Sequence, residues 1–196
     1  MKTATPMPTK SGGFPPGLAA LVAEAGQQAR ARPVERWDPP YCGEIDIRIA
    51  ADGLWFYRGS AITREALVRL FASILRREAD GRHVLVTPVE KVGIIVEDAP
   101  FLAVEVAVEG EGKERILNFR TNVGDIVPAG PEHPLRFNTE NGTGGLKPYL
   151  TVRGRLEALA TRALQLELVG MAEDRDGVIG LWSGGKFFAF PEAARG

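Results

Sequence analysis

Residues 62–87 run Ile62-Thr-Arg-Glu-Ala-Leu-Val-Arg-Leu-Phe-Ala-Ser-Ile-Leu-Arg-Arg-Glu-Ala-Asp-Gly-Arg-His-Val-Leu-Val-Thr87. Thr63 is a good helix N-cap, and Glu65 places negative charge at the positive end of the helix dipole. Ala66, Leu67, Leu70, Phe71, Ile74 and Leu75 form one apolar stripe, with Arg64, Arg69, Arg76 and Arg77 elsewhere on the cylinder. Arg76, Arg77 and Asp80-Gly81 suit a helix C-terminus, cations at the negative pole and Gly as terminator. The period then drops to two over His83 to Thr87, as in a strand. A fainter copy follows later. Ala160-Thr161-Arg162 again follows a strand, and Asp176-Gly177 precedes another strand at nearly the same distance. Repetition of this kind can mark a duplicated unit. It predicts a helix over Thr161 to Ala172, against the strand that alternating Leu164, Leu166 and Leu168 would allow.

Working outward, Ile45, Ile47 and Ile49 alternate with Glu44, Asp46 and Arg48, a strand with one wet face. Ala51-Asp52-Gly53 is turn chemistry, and Leu54 to Tyr57 completes a hairpin. Val92, Ile94 and Val96 mark a strand; Leu102, Val104, Val106 and Val108 another; Ile116 to Thr121 a third. Strands this closely spaced suggest antiparallel pairing rather than βαβ units. Residues 128–148, with four prolines and four glycines, read as a long loop. Tyr149 to Leu156, Val178 to Trp182 and Lys186 to Phe190 are the remaining strands. Near the N-terminus, Leu18, Leu21, Val22 and Ala25 predict a helix ending near Arg30, after a mobile arm over Met1 to Gly17. The expected architecture is α+β, a duplicated core of two related halves. Residues 1–39 form the arm with the N-terminal helix, 40–126 a first half and 127–196 a second. Each half is mainly antiparallel strands with one helix.

Composition narrows the function. Of 196 residues, 44% are hydrophobic and 25% charged, and 24 basic residues balance 25 acidic ones at a net charge of -1. Such a chain supports a full core and offers polymeric nucleic acid no excess positive charge. Gly (23) and Pro (14) make up nearly a fifth of it, which favours turns and strands. Cys42 is alone, so no intramolecular disulfide can form. No apolar run is long enough to cross a bilayer and no signal-peptide core is present. The expectation is a cytoplasmic protein without a membrane partner.

Gly180-Leu-Trp-Ser-Gly-Gly-Lys186 satisfies part of a phosphate loop. Phe187 stands where a Ser or Thr should hold magnesium, and no helix can follow, so a glycine-rich hairpin turn explains it better. His83 and His133 lack metal spacing, and no metal or cofactor is expected. The remaining polar constellation contains Arg120, Thr121, Asn122 and Asp125 at a strand end, Tyr149, Thr151 and Arg153 on a later strand, and Trp55 and Tyr57 on an earlier one. Arginine, aromatic and amide groups together suit a planar anion. The competing reading makes these residues a structural seam, with Arg153 paired to a carboxylate.

The runs Asp52-Gly-Leu-Trp-Phe-Tyr-Arg-Gly-Ser60, Leu67 to Arg76, Thr87-Pro-Val-Glu-Lys-Val92, Thr121-Asn-Val-Gly-Asp125 and Pro148-Tyr-Leu150 resemble the bacterial family named domain of unknown function 1285. The resemblance spans about residues 35–190. It implies a duplicated α+β core whose second half superficially resembles a pleckstrin-homology-like fold. It also implies a ligand site, for a nucleotide-like molecule, where the halves meet, and a role in signal transduction. It brings no catalytic residues. The expected function is binding of a small anionic molecule between the halves, through Trp55, Arg64, Arg120, Thr121, Asn122, Asp125, Tyr149 and Arg153. The alternatives are a small hydrolase with Asp125 or His133 as base beside Arg153, and a structural partner-binding module.

Overall fold

A computed structural model of the chain describes residues 13–23, 32–140 and 142–192. Strand β1 (Tyr41–Ile49) turns into β2 (Trp55–Tyr57) and β3 (Ser60–Ala61), and helix α2 (Glu65–Ser73) follows; α1 is the short N-terminal helix Pro16–Ala23. A second meander, β4 (Leu75–Arg77), β5 (His83–Val86) and β6 (Lys91–Val96), completes a six-stranded sheet in the order β3-β2-β1-β6-β5-β4. Its central pair, β1 with β6, is parallel and every other pair is antiparallel.

The next six strands repeat that plan. Meander β7 (Phe101–Glu109), β8 (Ile116–Thr121), β9 (Ile126–Pro128) and meander β10 (Leu135–Thr139), β11 (Leu146–Arg153), β12 (Leu156–Ala160) form a sheet ordered β9-β8-β7-β12-β11-β10. The central pair, β7 with β12, is again the parallel one. Helix α3 (Arg162–Gly170) leads to a three-stranded meander, β13 (Glu173–Arg175), β14 (Val178–Ser183) and β15 (Lys186–Ala189). The chain is thus two related α+β halves, each mostly antiparallel sheet with a helix, the second a curled sheet like a pleckstrin-homology fold.

The helix over residues 161–172 forms as the repeat requires. Leu164 and Leu168 point inward, while Leu166 stays exposed at 64% and so is no strand-core residue. The two helices also end alike: Ile74 caps α2 one residue before β4, and Met171 caps α3 two residues before β13.

Four sequence expectations change. Helix α2 stops at Ser73, and Arg76 and Arg77 belong to β4. Arg76 is drawn out of helical geometry because its buried guanidinium donates to the Val34 and Trp37 carbonyls, both at 2.7 Å, and pairs with Glu78. The division between sheets falls at residues 97–100, not at 126. The expected first half, 40–126, takes in β7 and β8, which carry the pairing of the second sheet. The stretch 128–148 contains β10, whose register to β11 runs from Leu135↔Leu150 to Thr139↔Leu146 with Pro148 opposite Phe137. On β7 a bulge between Ala103 and Glu105 turns the strand over, so Phe101 and Ala103 face the core at one end and Val106 packs against it at the other.

The described part of the N-terminal segment docks on the core through Phe14, Leu18, Leu21 and Val22; residues 1–12 of the expected arm, and 24–31 at the end of the expected helix, lie outside the described residues. Leu18 is fully buried, and Phe14 stacks on Tyr57 at 4.6 Å and meets Phe71 edge-on at 5.6 Å. The block Thr87-Pro-Val-Glu-Lys explains the docking. Thr87 Oγ1 accepts from the Val89 and Glu90 amides, shaping the turn, and buried Glu90 accepts the Leu18 N–H at 2.7 Å. A carboxylate 72 residues away therefore caps the first turn of α1.

Gly184 (φ +56°) and Gly185 (φ +71°) form the tight turn from β14 to β15, so the phosphate-loop-like stretch is a hairpin. Buried Ser183 ties this hairpin to the second sheet: its Oγ accepts the Leu117 N–H at 2.9 Å and donates to the Ala129 carbonyl at 2.7 Å. One continuous core runs from Leu18 through Phe71, Phe101 and Phe119 to Phe188.

Candidate functional site

Strands β10, β11 and β12 set a row of polar side chains on one face of the second sheet, because alternate residues of a strand share a face. Arg136 lies opposite Tyr149, and Thr151 opposite Glu157. Beside them stand Asp98 from the connector, Arg155 from the β11–β12 turn, and Arg77 from β4 of the first sheet. Together they line a hollow of about 610 Å³ to which both halves contribute.

Most charges in this hollow are already matched. Arg136 clamps Glu157 with two bonds of 2.9 Å and lies 4.1 Å over the Tyr149 ring. The Glu157 hydrogen bond holds the Arg136 pKa above its ordinary value. Asp98 accepts from Lys147 at 2.5 Å and from the Tyr149 hydroxyl at 2.8 Å. Burial, and then the bond to Asp98, raise the Tyr149 phenol, while Asp98 raises Lys147. Two guanidinium groups remain over. Arg77 donates only a weak 3.4 Å bond from Nε to the Gly81 carbonyl, and Arg155 has no partner among the described residues. Neither meets a carboxylate. Arg77 also lies directly opposite His83 across the β4–β5 ladder. Burial first, and the Arg77 charge second, depress that imidazole to about 4.

Of the residues singled out from sequence, Tyr149 lines this hollow, and so does Thr151. The others lie elsewhere. Trp55 is 2% exposed, stacked on Phe71, its indole N–H without an acceptor among the described residues. Arg64, not Thr63, occupies the N-cap of α2, one residue later than expected, and no side chain caps the helix there. Arg120 is paired across the strands with Glu105. Thr121 and Asn122 build the β8–β9 turn and its tie to β7: Thr121 Oγ1 accepts the Asp125 N–H at 3.0 Å, and Asn122 Oδ1 accepts the Leu102 N–H at 3.0 Å. Asp125 pairs with Arg153 at 3.1 Å, and Arg153 also donates to the Ala72 carbonyl at the end of α2. The seam reading of Arg153 thus has its carboxylate. Of the two bases in the hydrolase alternative, Asp125 lies beside Arg153 and is held in that ion pair, and His133 is held through Nδ1 at the Thr151 carbonyl. Arg77, Arg136, Asn138, Arg155, Asp98 and Glu157 were missed. No local motif joins them, and Arg77 carried a helical reading.

Among the described residues no three His, Cys, Asp or Glu side chains are grouped to hold a metal ion, and no helix is long and apolar enough to cross a membrane.

A repeated two-meander sheet with a polar hollow shared between its copies defines a duplicated α+β protein. The chain belongs to the DUF1285 family. Residues 32–99 match "Domain of unknown function (DUF1285), N-terminal domain" and residues 100–190 match "Protein of unknown function (DUF1285), C-terminal domain". That boundary coincides with the break between the two sheets. The fold is similar to a DUF1285 family protein from Silicibacter pomeroyi DSS-3, with TM-score 0.80 and 50% identity, covering 87% of this chain and 93% of that one. It is also similar to one from Shewanella baltica OS155, with TM-score 0.51 and 29% identity over 64% of this chain and 91% of that one. No curated protein matches the chain.

Proposed function

We propose that the chain is a cytoplasmic ligand-binding protein with a role in signal transduction, taking a small anionic molecule in the hollow between its halves. The observation that carries this reading is the pair Arg77 and Arg155. One comes from each half, neither has a carboxylate partner, and both border the same hollow. Guanidinium groups bind oxyanions through paired, charge-assisted hydrogen bonds, and excess positive charge in a concave site draws anions in. A ligand bridging the halves would strengthen the seam on binding, which couples occupancy to conformation as a sensor requires. The nucleotide-like class implied by the family resemblance is one member of this set of anions.

Thermal denaturation of the full chain against a panel of phosphorylated and carboxylated metabolites tests the reading. A ligand bound only by the folded state at about a hundred times its Kd adds about 2.7 kcal/mol, several degrees in Tm. Arg155→Ala should abolish the shift and leave the unliganded Tm nearly unchanged, because the side chain is exposed and unpaired. A panel in which no anion shifts Tm overturns the proposal.

A further inference from the structure

We infer that the hollow takes a phosphorylated polyhydroxy compound, a sugar or polyol phosphate bound through its hydroxyl groups, rather than a nucleotide held by stacking of its base. The inference rests on the reading of the hollow as an anion site and concerns what lies around the two guanidinium groups.

A nucleobase needs an open ring face. Tyr149 is the one aromatic residue among those lining the hollow, and it is 6% exposed. The Arg136 guanidinium lies 4.1 Å over its ring, Lys147 stands 5.7 Å from the ring centroid, and its hydroxyl is committed to Asp98. No aromatic face among the lining residues is free to stack a base.

Hydroxyl groups find a better-matched wall. Each oxygen of Glu157 accepts one bond from Arg136, and each oxygen of Asp98 accepts one from Lys147 or Tyr149. A carboxylate oxygen can accept more than one bond, so these oxygens can still receive a ligand hydroxyl. The Asn138 amide and the Thr151 hydroxyl have no partner among the described residues and can both donate and accept. Alternating donors and acceptors along a sheet face suit a row of hydroxyls, each of which donates once and accepts twice. A phosphate monoester carries nearly two negative charges at neutral pH, which Arg77 and Arg155 together can balance.

Calorimetric titration of the full chain separates the parts. The probes are inorganic phosphate, glucose 6-phosphate, glycerol 3-phosphate, ribose 5-phosphate and adenosine 5′-monophosphate. At least one sugar or polyol phosphate should bind tenfold or more tightly than inorganic phosphate. Adding adenine to ribose 5-phosphate should change affinity less than threefold. Asn138→Ala should weaken that sugar or polyol phosphate at least fivefold and leave inorganic phosphate within twofold, whereas Arg155→Ala should weaken both. Adenosine monophosphate binding tenfold tighter than ribose 5-phosphate, or sugar phosphates no tighter than inorganic phosphate, would overturn the inference while leaving an anion site in place. Sedimentation with phosphatidylglycerol vesicles, without binding of glycerol 3-phosphate, would assign the same chemistry to a lipid headgroup and overturn a free ligand. If no anion binds at any site, the proposed function fails together with the inference.

Discussion

Arg153, on the second sheet, donates through Nη2 to the carbonyl of Ala72, in the last turn of α2 in the first half, 81 residues earlier. Its other Nη holds Asp125 at 3.1 Å, and its guanidinium lies 5.1 Å from the Phe101 ring centroid. One side chain thus ties a helix C-terminus, a turn and an aromatic ring across the seam. It brings a charged donor to a carbonyl in the last turn of the helix, where the regular hydrogen-bond ladder ends.

Arg153→Ala should therefore act on stability. Hydrogen bonds to a charged group contribute about 1.5–3 kcal/mol, and partial exposure here brings the expected loss to about 1–2 kcal/mol in urea denaturation. Arg153→Lys should recover little of it, because an ammonium cannot span both acceptors while lying on the ring. Affinity for any anion bound at Arg155 should be unchanged.

Gly17→Ala gives a sign test of the docked N-terminal segment. Helix propensity alone predicts a gain of about 1 kcal/mol. A Cβ at Gly17 would instead lie 2.8 Å from both Thr87 Oγ1 and Val89 Cγ2 and 2.9 Å from Glu90 Oε1. The variant should lose about 1–3 kcal/mol, and limited proteolysis should cut the segment faster. A more stable variant would mean that α1 does not sit on the Thr87–Glu90 turn.

Ser183→Ala should be among the costlier small substitutions. It removes one hydroxyl and leaves a buried N–H at Leu117 and a buried carbonyl at Ala129 without their partner. At about 1–3 kcal/mol for each stranded group, the loss should reach about 2–4 kcal/mol by equilibrium unfolding. Ser183→Thr, which keeps the hydroxyl, should cost less if the added methyl is accommodated.

His83 sets an acid limb. Its ordinary pKa of 6.5 falls to about 4 in the fold, so the folded chain binds fewer protons than the unfolded chain between those values. The neutral ring's contribution is complete above about pH 6.5 and is lost as pH falls toward 4. For a half-buried group this amounts to about 1 kcal/mol between pH 7 and pH 5. His83→Gln should flatten that limb, as urea midpoints at the two pH values will show. An anion bound to Arg77 would offset the charge beside His83, so its NMR titration should move upward when ligand is added.

Local chemistry could be read directly from residue order. The wet-faced strand carrying Ile47 and Ile49, the apolar stripe of α2 and the glycine hairpin after Ser183 each depend on neighbours a few residues apart, whereas the helix after Thr161 was legible only as a repeat of α2. Hydrophobic period and turn chemistry act over that range. The Thr87 to Lys91 block could be read as a family feature, but its role as the cap of α1 could not, because the helix it caps lies far earlier in the chain.

What residue order determined by itself was therefore a duplicated α+β chain, near neutral in charge, with polar and aromatic groups set at strand ends. Only the tertiary structure decided which of those groups share a space. Register placed Arg136 against Tyr149 and Thr151 against Glu157, and packing of the two sheets brought Arg77 and Arg155 to one hollow. The same packing closed Arg153 onto Ala72 and Arg120 onto Glu105, removing them from it. The physical reason is that a side chain's partners are set by strand pairing between residues distant in sequence, and a one-residue change of register sends every side chain to the opposite face.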